Sequence, residues 1–218
     1  DTAKAKQVLT QDYISKQQAG QSVLDTINAV PGVNFQNNDA YGSAGGTLNI
    51  RGFGGDRVSL TFDGVPLNDS GNYAVYTNQQ LSPELIEQVN VNLGSTDVDS
   101  PTASATGGTV NYRTRKPYEE ASVRAAGTIG DQDYMRVYGS VDTGNLSDSG
   151  LRAFIAAEKV DYKWAYSRGK IDKTQLNARI YQPLGDNGDF ISISGHYNEN
   201  RNHFGPQIAL NTIVDANG

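Results

Sequence analysis

The sequence predicts two kinds of structure in one chain of 218 residues: a mixed α+β domain over residues 1–117, and antiparallel strands of a transmembrane β-barrel over residues 118–218. Three observations support this prediction. Before Pro117, helix-start signals alternate with short β-type segments. After Pro117, five long segments follow in which apolar and polar residues alternate. Tight turns and longer loops alternate between these segments, which is typical of outer-membrane barrels.

The composition excludes several classes of protein. Eighteen basic residues against 24 acidic ones give a net charge of −6, which argues against a nucleic-acid binder that relies on phosphate contacts. The absence of cysteine excludes a disulfide framework and a thiolate zinc site. No apolar run approaches the roughly 18 residues that a membrane helix requires. The polar start at Asp1 shows no signal peptide, although a processed, mature start would look the same.

The mixed domain contains two predicted helix starts and several short strands. Ser22 and Asp25 form a capping-box-like pattern, and the helix that follows ends at Pro31-Gly32 because proline disfavours helix at the preceding residue. Ser82 and Pro83 predict a second helix, with the serine as its cap and the proline at the first helical position. Short strands are predicted at 33–35, 89–93 and 107–115.

The stretch from Leu48 to Leu67 lies at the centre of this domain and predicts a hairpin. Leu48 and Ile50 alternate with polar residues, and a second alternating run follows at 58–62. The glycines at 52–55 supply the backbone freedom for a tight reversal between the two runs. We therefore expect two strands paired with one another through a glycine turn.

The five segments after Pro117 each approach the 9–11 residues that a tilted membrane strand needs. Tight turns are expected at 145–150 and 183–188, and longer loops at 163–173 and from residue 200 onward. A soluble antiparallel sandwich would give a similar alternation, but arginines and a glutamate in mid-strand favour a water-filled lumen. Because an open sheet edge in lipid costs several kcal/mol per unpaired backbone group, we expect further strands beyond these five. The apolar face is expected to contain Val123, Ile129, Met135, Val137, Val141, Leu151, Ile155, Leu176, Ile180, Ile191, Ile193 and Tyr197.

Five short motifs occur in the order and spacing of a known family. They are Val30-Pro-Gly-Val33, Ile50-Arg-Gly-Phe53, Asp63-Gly-Val-Pro-Leu67, Ile86 to Gly94, and Gly107-Gly-Thr-Val110 followed by Thr114-Arg-Lys-Pro117. Over residues 8–117 the chain resembles the plug domain of the TonB-dependent outer-membrane receptors. It departs from the family pattern where Asn90 replaces an acidic residue, at Gly94-Ser95, and at Ala105-Thr106. The family's TonB box is not recognisable in residues 1–18, and we expect it upstream of Asp1.

The resemblance implies a 22-stranded barrel in the outer membrane of a Gram-negative bacterium, closed by an N-terminal plug that is reached from the periplasm. It further implies a lipid bilayer around the barrel and energy coupling by the TonB–ExbB–ExbD complex. A scarce extracellular ligand (a siderophore, cobalamin or a carbohydrate) would be taken up, with no role for nucleic acid. A receptor used mainly for signalling, or a structural partner in a surface complex with a lipoprotein, is an alternative hypothesis. A soluble β-rich binding protein is a third.

Two sets of residues are candidates for function in such a plug. Arg51 and Arg57 are expected to form ion pairs with acidic residues of the barrel wall and, with Asp63, to act as a latch in gating. The polar loops 37–44 and 68–79 are expected to contact the ligand, since loops often carry binding residues. The proposed ligand contacts are Tyr41, Asn72, Tyr73, Tyr76 and Asn78. The alternative for these tyrosines is that they pack the plug against the barrel.

The other residues considered give little support for a catalytic, metal or cofactor site. Trp164 and Tyr166 fit an interfacial aromatic belt better than a ligand site. His196 and His203 have no paired nucleophile, and hydrolase, metalloprotease and Walker-type motifs are absent from the sequence. The segment 186–189 predicts a hairpin turn and falls short of a calcium loop. We therefore predict no enzymatic activity, no metal site and no cofactor.

Overall fold

The structure, a computed structural model, describes residues 5–17, 21–94, 105–165, 169–185 and 187–203. Three sheets are present in this part of the chain. The helices are α1 (Gln11–Ser15) and α2 (Val23–Thr26), with 3₁₀ turns at Ile27–Ala29, Gly55–Arg57, Thr77–Gln79 and Pro83–Leu85. The first eight strands are β1 (Ala5–Thr10), β2 (Val33–Asn37), β3 (Gly46–Ile50), β4 (Phe53–Gly54), β5 (Val58–Phe62), β6 (Val65–Pro66), β7 (Ile86–Leu93) and β8 (Gly108–Thr114). The last five are β9 (Ala121–Gly130), β10 (Tyr134–Thr143), β11 (Arg152–Lys163), β12 (Lys170–Leu184) and β13 (Asp189–Asn202).

The N-terminal domain, here the described residues up to Lys116, is built on a five-stranded sheet in the order β1-β7-β8-β5-β6. β5 runs parallel to β8, and the other neighbouring pairs are antiparallel. The short helix α2 packs on this sheet, and its buried Leu24 joins Leu60, Val89 and Val110 in one hydrophobic core. The sequence prediction of a mixed domain is confirmed.

The hairpin predicted for Leu48–Leu67 is wrong. β3 belongs to a three-stranded sheet, β2-β3-β4, whereas β5 belongs to the five-stranded sheet. Arg51 and Gly52 have φ of +50° and +82°, so the chain reverses at once and Phe53–Gly54 folds back on the end of β3. β5 then pairs with β8 and is buried on both faces, so its polar residues Ser59 and Thr61 are buried as well as Val58, Leu60 and Phe62.

The two predicted helix starts differ in outcome. Ser22 caps α2 as expected: its hydroxyl accepts the Asp25 N–H, and the Asp25 carboxylate accepts the Ser22 N–H, which completes a capping box. Ser82 does not start an α-helix, because only one 3₁₀ turn follows at Pro83–Leu85 before β7 begins. Its side chain makes no cap hydrogen bond and is used elsewhere.

The C-terminal sheet consists of β9 to β13 in chain order, each strand antiparallel to the next. The predicted alternation is confirmed: one face is apolar and open, and on β10–β12 the polar side chains of the other face are largely buried towards the N-terminal domain. Large apolar side chains on the open face are 46–78% exposed, for example Val123, Val137, Ile155, Leu176 and Ile193. In the described part of the chain, no helix is long and apolar enough to cross a membrane.

The connections of this sheet define its two ends. We call the end with the β10–β11 and β12–β13 connections the turn end, and the end with the β9–β10 and β11–β12 connections the loop end. The long loop predicted at 163–173 is shorter than expected, because β11 extends to Lys163 and β12 begins at Lys170. The expected loop after residue 203 lies outside the described residues.

The close contact of β2 with β3 gives a first testable prediction. A Cβ at Gly46 would overlap the carbonyl oxygen of Gln36 and lie 2.8 Å from Phe35 Cζ. We expect Gly46→Ala to destabilise the N-terminal domain by about 1–3 kcal/mol, as overpacked core positions do. Limited proteolysis of the purified full-length protein should then cleave this domain roughly tenfold faster or more. Gly127→Ala is the control, because a Cβ there has no atom within 4 Å; equal cleavage of both variants would contradict the prediction.

Candidate functional site: the contact between the N-terminal domain and the C-terminal sheet

A buried arginine of the C-terminal sheet lies between two carboxylates. Arg136 on β10 donates from Nη1 and Nη2 to both oxygens of Glu84, at 2.9 and 2.8 Å, and Glu84 belongs to the N-terminal domain. The Nε of Arg136 also donates to Glu158 on β11 at 2.8 Å. The Arg136 and Glu158 side chains are only 4% and 3% exposed. The guanidinium group of Arg136 therefore joins the N-terminal domain to the C-terminal sheet.

Glu158 connects this arginine to further groups. Its carboxylate lies 3.5 Å from Lys173 Nζ on β12 and accepts a hydrogen bond of 2.9 Å from the Ser82 hydroxyl of the N-terminal domain. The strand register explains the cluster, since inward residues of β10, β11 and β12 lie diagonally across neighbouring strands. We call Ser82, Glu84, Arg136, Glu158 and Lys173 the central network.

The central network contains two carboxylates and two cations, so its charges balance. This matters because a buried ion pair is not a net stabiliser by default, whereas a buried charge that loses its partner typically costs about 3–5 kcal/mol. Neighbouring polar groups are also satisfied: Gln175 accepts a hydrogen bond of 3.1 Å from Ser82 and donates to the Gln80 carbonyl. The network therefore favours one seating of the domain over displaced ones.

A second contact lies at the turn end. Arg115 of the N-terminal domain makes a bidentate pair with Asp142 on β10, with distances of 2.7 and 2.8 Å. The Arg115 guanidinium also lies over the rings of Tyr118 and Phe154, 4.3 and 4.5 Å from their centroids. Planar stacking and a bidentate carboxylate suit arginine and would not suit lysine.

A third contact lies at the loop end and is aromatic. Tyr41 stacks on Tyr134 with ring centroids 3.8 Å apart and donates from its hydroxyl to the Asp131 carbonyl at 3.1 Å. Tyr162 packs edge-on to Tyr41 at 5.2 Å and donates to the carboxylate of Asp39. Tyr41 thus packs the domain against the sheet, which is the alternative weighed for it from the sequence.

Trp164 also belongs to this third contact. It packs against the cluster around Tyr134 and Tyr162 on the domain-facing side of the sheet, so its predicted place in an outer aromatic belt is wrong. Tyr166, which was given the same prediction, lies outside the described residues.

The other predicted ligand contacts lie on a loop that reaches the loop end. The Asn78 carbonyl accepts a hydrogen bond of 2.8 Å from Asn200 on β13. Asn72 is exposed and accepts the Ala74 N–H at 2.9 Å. Tyr73 and Tyr76 are 38% and 48% exposed.

The loops 37–44 and 68–79 are held beside each other. The Gly46 N–H donates to the Thr77 hydroxyl at 2.6 Å, and Ser43 accepts from Asn202 at the loop end of β13. Asp69 orders the second loop by accepting the N–H groups of Asn72 and Gly71, which lowers the pKa of its carboxyl. The structure therefore brings both predicted loops to one end of the sheet.

The three predicted latch residues differ in their positions. Asp63 lies 3.5 Å from Arg179 on β12 and also accepts the Thr114 N–H at 2.9 Å. Arg57 is half exposed and lies 3.6 Å from its neighbour Asp56. Arg51 is exposed and, within the described part of the chain, neither it nor Arg57 forms an ion pair with the C-terminal sheet. Of the three, Asp63 is the one that forms an ion pair with the C-terminal sheet in the described residues.

The central network itself was not among the predicted site residues. Arginines and a glutamate in mid-strand were visible in the sequence, and they include Arg136 and Glu158. Their partners were not recognised, because Ser82 was interpreted as a helix cap and Glu84, within the same predicted helix start, was given no role.

Comparison with known proteins places this arrangement in a family. A family model described as the TonB-dependent receptor plug domain matches residues 1–109. The chain belongs to this family. The N-terminal domain is therefore a plug, the family is one of receptors and transporters rather than enzymes, and the C-terminal sheet consists of barrel strands that do not close in the described residues. No curated protein sequence matches the chain.

Solved structures show the same fold. The pyoverdine outer membrane receptor FpvA from Pseudomonas aeruginosa PAO1, bound to pyoverdine, matches 91% of this chain and 28% of its own, with 19% identity and a TM-score of 0.74. The siderophore receptor PirA from Acinetobacter baumannii matches 94% of this chain and 34% of its own, with 18% identity and a TM-score of 0.67. The copper transporter OprC matches 92% and 32%, with 15% identity and a TM-score of 0.69. The chain thus spans about a third or less of the length of these structures.

The central network gives a second testable prediction. Glu158→Ala leaves the buried Arg136 and Lys173 with one carboxylate between them, so we expect the seating of the plug to weaken by about 3–5 kcal/mol. Lys159→Ala is the matched control: Lys159 is the next residue, is also ion-paired, and is half exposed, so its loss should cost no more than about 1 kcal/mol. The measurement is the urea concentration at which the plug of the full-length protein loses protease protection. Equal shifts in the two variants would refute the role of the network.

Proposed function

We propose that this chain is the plug and the first barrel strands of a receptor that takes up a scarce extracellular ligand across the outer membrane of a Gram-negative bacterium. In this proposal residues 1–117 form the plug and residues 118–218 begin the barrel. The plug-family match is the observation that carries it. The buried contacts between plug and sheet support it further, because a plug must stay seated in the lumen when no ligand is bound.

In the same proposal the apolar open face of β9–β13 contacts lipid, the turn end faces the periplasm and the loop end faces outward. Large apolar side chains on that face support contact with lipid, since contiguous apolar surface of this kind is unusual in water. The short connections at one end support the orientation. Energy would come from the TonB–ExbB–ExbD complex acting on the N-terminal part of the plug.

The ligand is proposed to bind at the outward end of the plug. Tyr73 and Tyr76 are the best placed of the five predicted residues, because their rings are exposed on a loop that Asp69 orders. Asn72 and Asn78 lie beside them as amide donors and acceptors. Tyr41 would act mainly by fixing the first loop, since its ring is stacked against the barrel strands.

Gating is proposed to require the central network and the Asp63–Arg179 pair to separate on at least one side. Both join the plug to the barrel strands, and Asp63 is one of the latch residues predicted from the sequence. Ion pairs of Arg51 and Arg57 with the barrel wall stay a prediction. Plug protease resistance and antibiotic leakage in Arg51→Ala and Arg57→Ala would test it, and no change in either would refute it.

Uptake assays test the proposed function. Cells with the full-length receptor should accumulate at least one of three labelled compounds: a ferric siderophore, cyanocobalamin or a neutral oligosaccharide. Accumulation should fall to background when a protonophore is added or when TonB is absent. Binding without energy-dependent accumulation would instead support the signalling or surface-complex hypothesis, and co-purification of a surface lipoprotein would favour the latter.

The loop tyrosines give a third testable prediction. Tyr76→Ala should weaken binding of the accumulated compound to whole cells about tenfold, since loss of an aromatic contact in a binding site commonly costs more than 1 kcal/mol. Tyr13→Ala is the control. Tyr13 on α1 is also an exposed tyrosine of the plug (38% exposed, against 48% for Tyr76), and it lies outside the two loops. Unchanged binding in Tyr76→Ala, or equal loss in both variants, would show that this loop does not contact the ligand.

A further inference from the structure

Two asparagines of β13 hold the two loops that are proposed to contact the ligand. The side-chain amide of Asn202 donates to the Ser43 carbonyl in the first loop at 3.2 Å, and that of Asn200 donates to the Asn78 carbonyl in the second loop at 2.8 Å. The two asparagines are two residues apart on one strand, so they lie on the same face of β13. Both bonds end on a backbone oxygen, so neither requires a particular side chain in the loop. The barrel strand therefore contacts the main chain of both loops.

The Ser43 peptide is bonded to the barrel strands through both its N–H and its carbonyl. The N–H donates to the hydroxyl of Tyr162 on β11 at 3.1 Å, and the carbonyl accepts the bond from Asn202. The strand register places these two side chains in one row, because Tyr162 and Asn202 are the partners of Ile171 on either side of it. Ile171 is fully buried and belongs to the same hydrophobic cluster as Ala44, the next residue of the loop. A row of three residues on three strands therefore fixes this dipeptide.

The second loop is held in the next row of the sheet and is joined to the first loop. Asn200 is the register partner of Lys173 on β12, and the Lys173 ammonium donates to the carbonyl of Gln80, the residue that follows the loop, at 3.3 Å. Within the plug, the Thr77 hydroxyl accepts the Gly46 N–H at 2.6 Å and donates to the Gly46 carbonyl at 3.1 Å. The ends of the two loops therefore form one unit with the barrel strands at the loop end.

The side chains proposed to contact the ligand are not used in these bonds. Tyr73 and Tyr76 are 38% and 48% exposed, and the Asn72 side chain accepts a hydrogen bond of 2.9 Å from within its own loop. The barrel side chains bond instead to the backbone at Ser43 and Asn78. Attachment to the barrel and contact with a ligand therefore fall on different groups of the same loops.

We propose that Asn200 and Asn202, together with Tyr162, are positioning residues of the ligand site: they fix the backbone of both loops before the ligand binds and do not contact the ligand. The proposal rests on the proposed function, because it takes these loops as the surface that contacts the ligand. A flexible loop that becomes ordered on binding costs free energy, and this cost is subtracted from the affinity. Loops that are already fixed to the barrel strands avoid the cost. Loss of either asparagine should therefore weaken binding.

Hydrogen exchange tests the positioning without any ligand. Asn200→Leu and Asn202→Leu replace the amide by an apolar group of similar size, so the carbonyl that each asparagine bonds loses its donor. Asn198→Leu is the matched control, because Asn198 lies on the same face of β13 and, among the described residues, makes no hydrogen bond to either loop. Amide exchange is measured by mass spectrometry on the purified full-length receptor, in peptides that cover the two loops and strands β7 and β8.

We expect exchange to become at least about fivefold faster in the first loop of Asn202→Leu and in the second loop of Asn200→Leu, since local opening governs exchange of such amides. Exchange in β7 and β8 should not change, because other contacts hold the rest of the plug. Unchanged loops, equally faster loops in Asn198→Leu, or faster exchange in β7 and β8 as well would each overturn the proposal. Serine variants at 200 and 202 replace the leucine variants if these do not fold.

Ligand affinity tests the consequence for binding. The probe is the panel compound that the cells accumulate, and its Kd should rise roughly three- to tenfold in Asn200→Leu and in Asn202→Leu, as expected for the loss of one hydrogen bond. Asn198→Leu should leave the Kd unchanged, and Asn202→Gln, which keeps an amide donor, should recover most of the affinity.

Unchanged affinity in both leucine variants would overturn the assignment of these asparagines to the ligand site. That failure is distinct from failure of the proposed function, which the uptake assay and Tyr76→Ala measure separately. The exchange rates need no ligand, so they decide the positioning of the loops even if none of the three compounds accumulates.

Discussion

The position of the plug depends on one balanced group of buried charges. Arg136 bridges Glu84 of the plug and Glu158 of the barrel strands, and Lys173 supplies the second cation. Each of these charges would be costly in this environment without its partners, because few water molecules can replace them. The plug cannot slide by one residue along the strands without separating them. The network therefore fixes where the other two contacts, the Arg115–Asp142 pair and the Tyr41 stack, can form.

The local features of the fold could be predicted from the sequence, and the long-range ones could not. The two-residue period of β9–β13 is a property of each strand alone, so it was visible without the structure. The Ser22–Asp25 capping box is equally local. The prediction for Leu48–Leu67 was wrong because the second run, β5, pairs with β8, about fifty residues later in the chain, and not with the first run, β3. Alternation marks a strand but does not identify its partner.

The same limit explains the outcome at the site. Mid-strand charges such as Arg136 and Glu158 were recognisable as signs of a polar lumen. Their plug partners precede them by 52 and 76 residues in the pairs Glu84–Arg136 and Ser82–Glu158, so no spacing rule connects them. The arginines beside the glycine turn, Arg51 and Arg57, were predicted to pair with the barrel wall because of their position in the middle of the plug. Among the described residues, however, the plug residues that form ion pairs with the barrel strands are Asp63, Glu84 and Arg115.

A charged contact also suits the proposed gating, in which the plug separates from the barrel strands. An apolar interface of the same area could be as stable, but it would gain nothing from water during separation. Charges and amides can be hydrated as they part, and this lowers the cost of breaking them if water has access. Gln175 connects the two regions, because it accepts a hydrogen bond from Ser82 beside the central network and also lines a cleft between the plug and strands β12 and β13. Separation that begins at this edge exposes the network to water step by step, whereas separation from the aromatic flank would first have to break the stacked rings of Tyr41 and Tyr134.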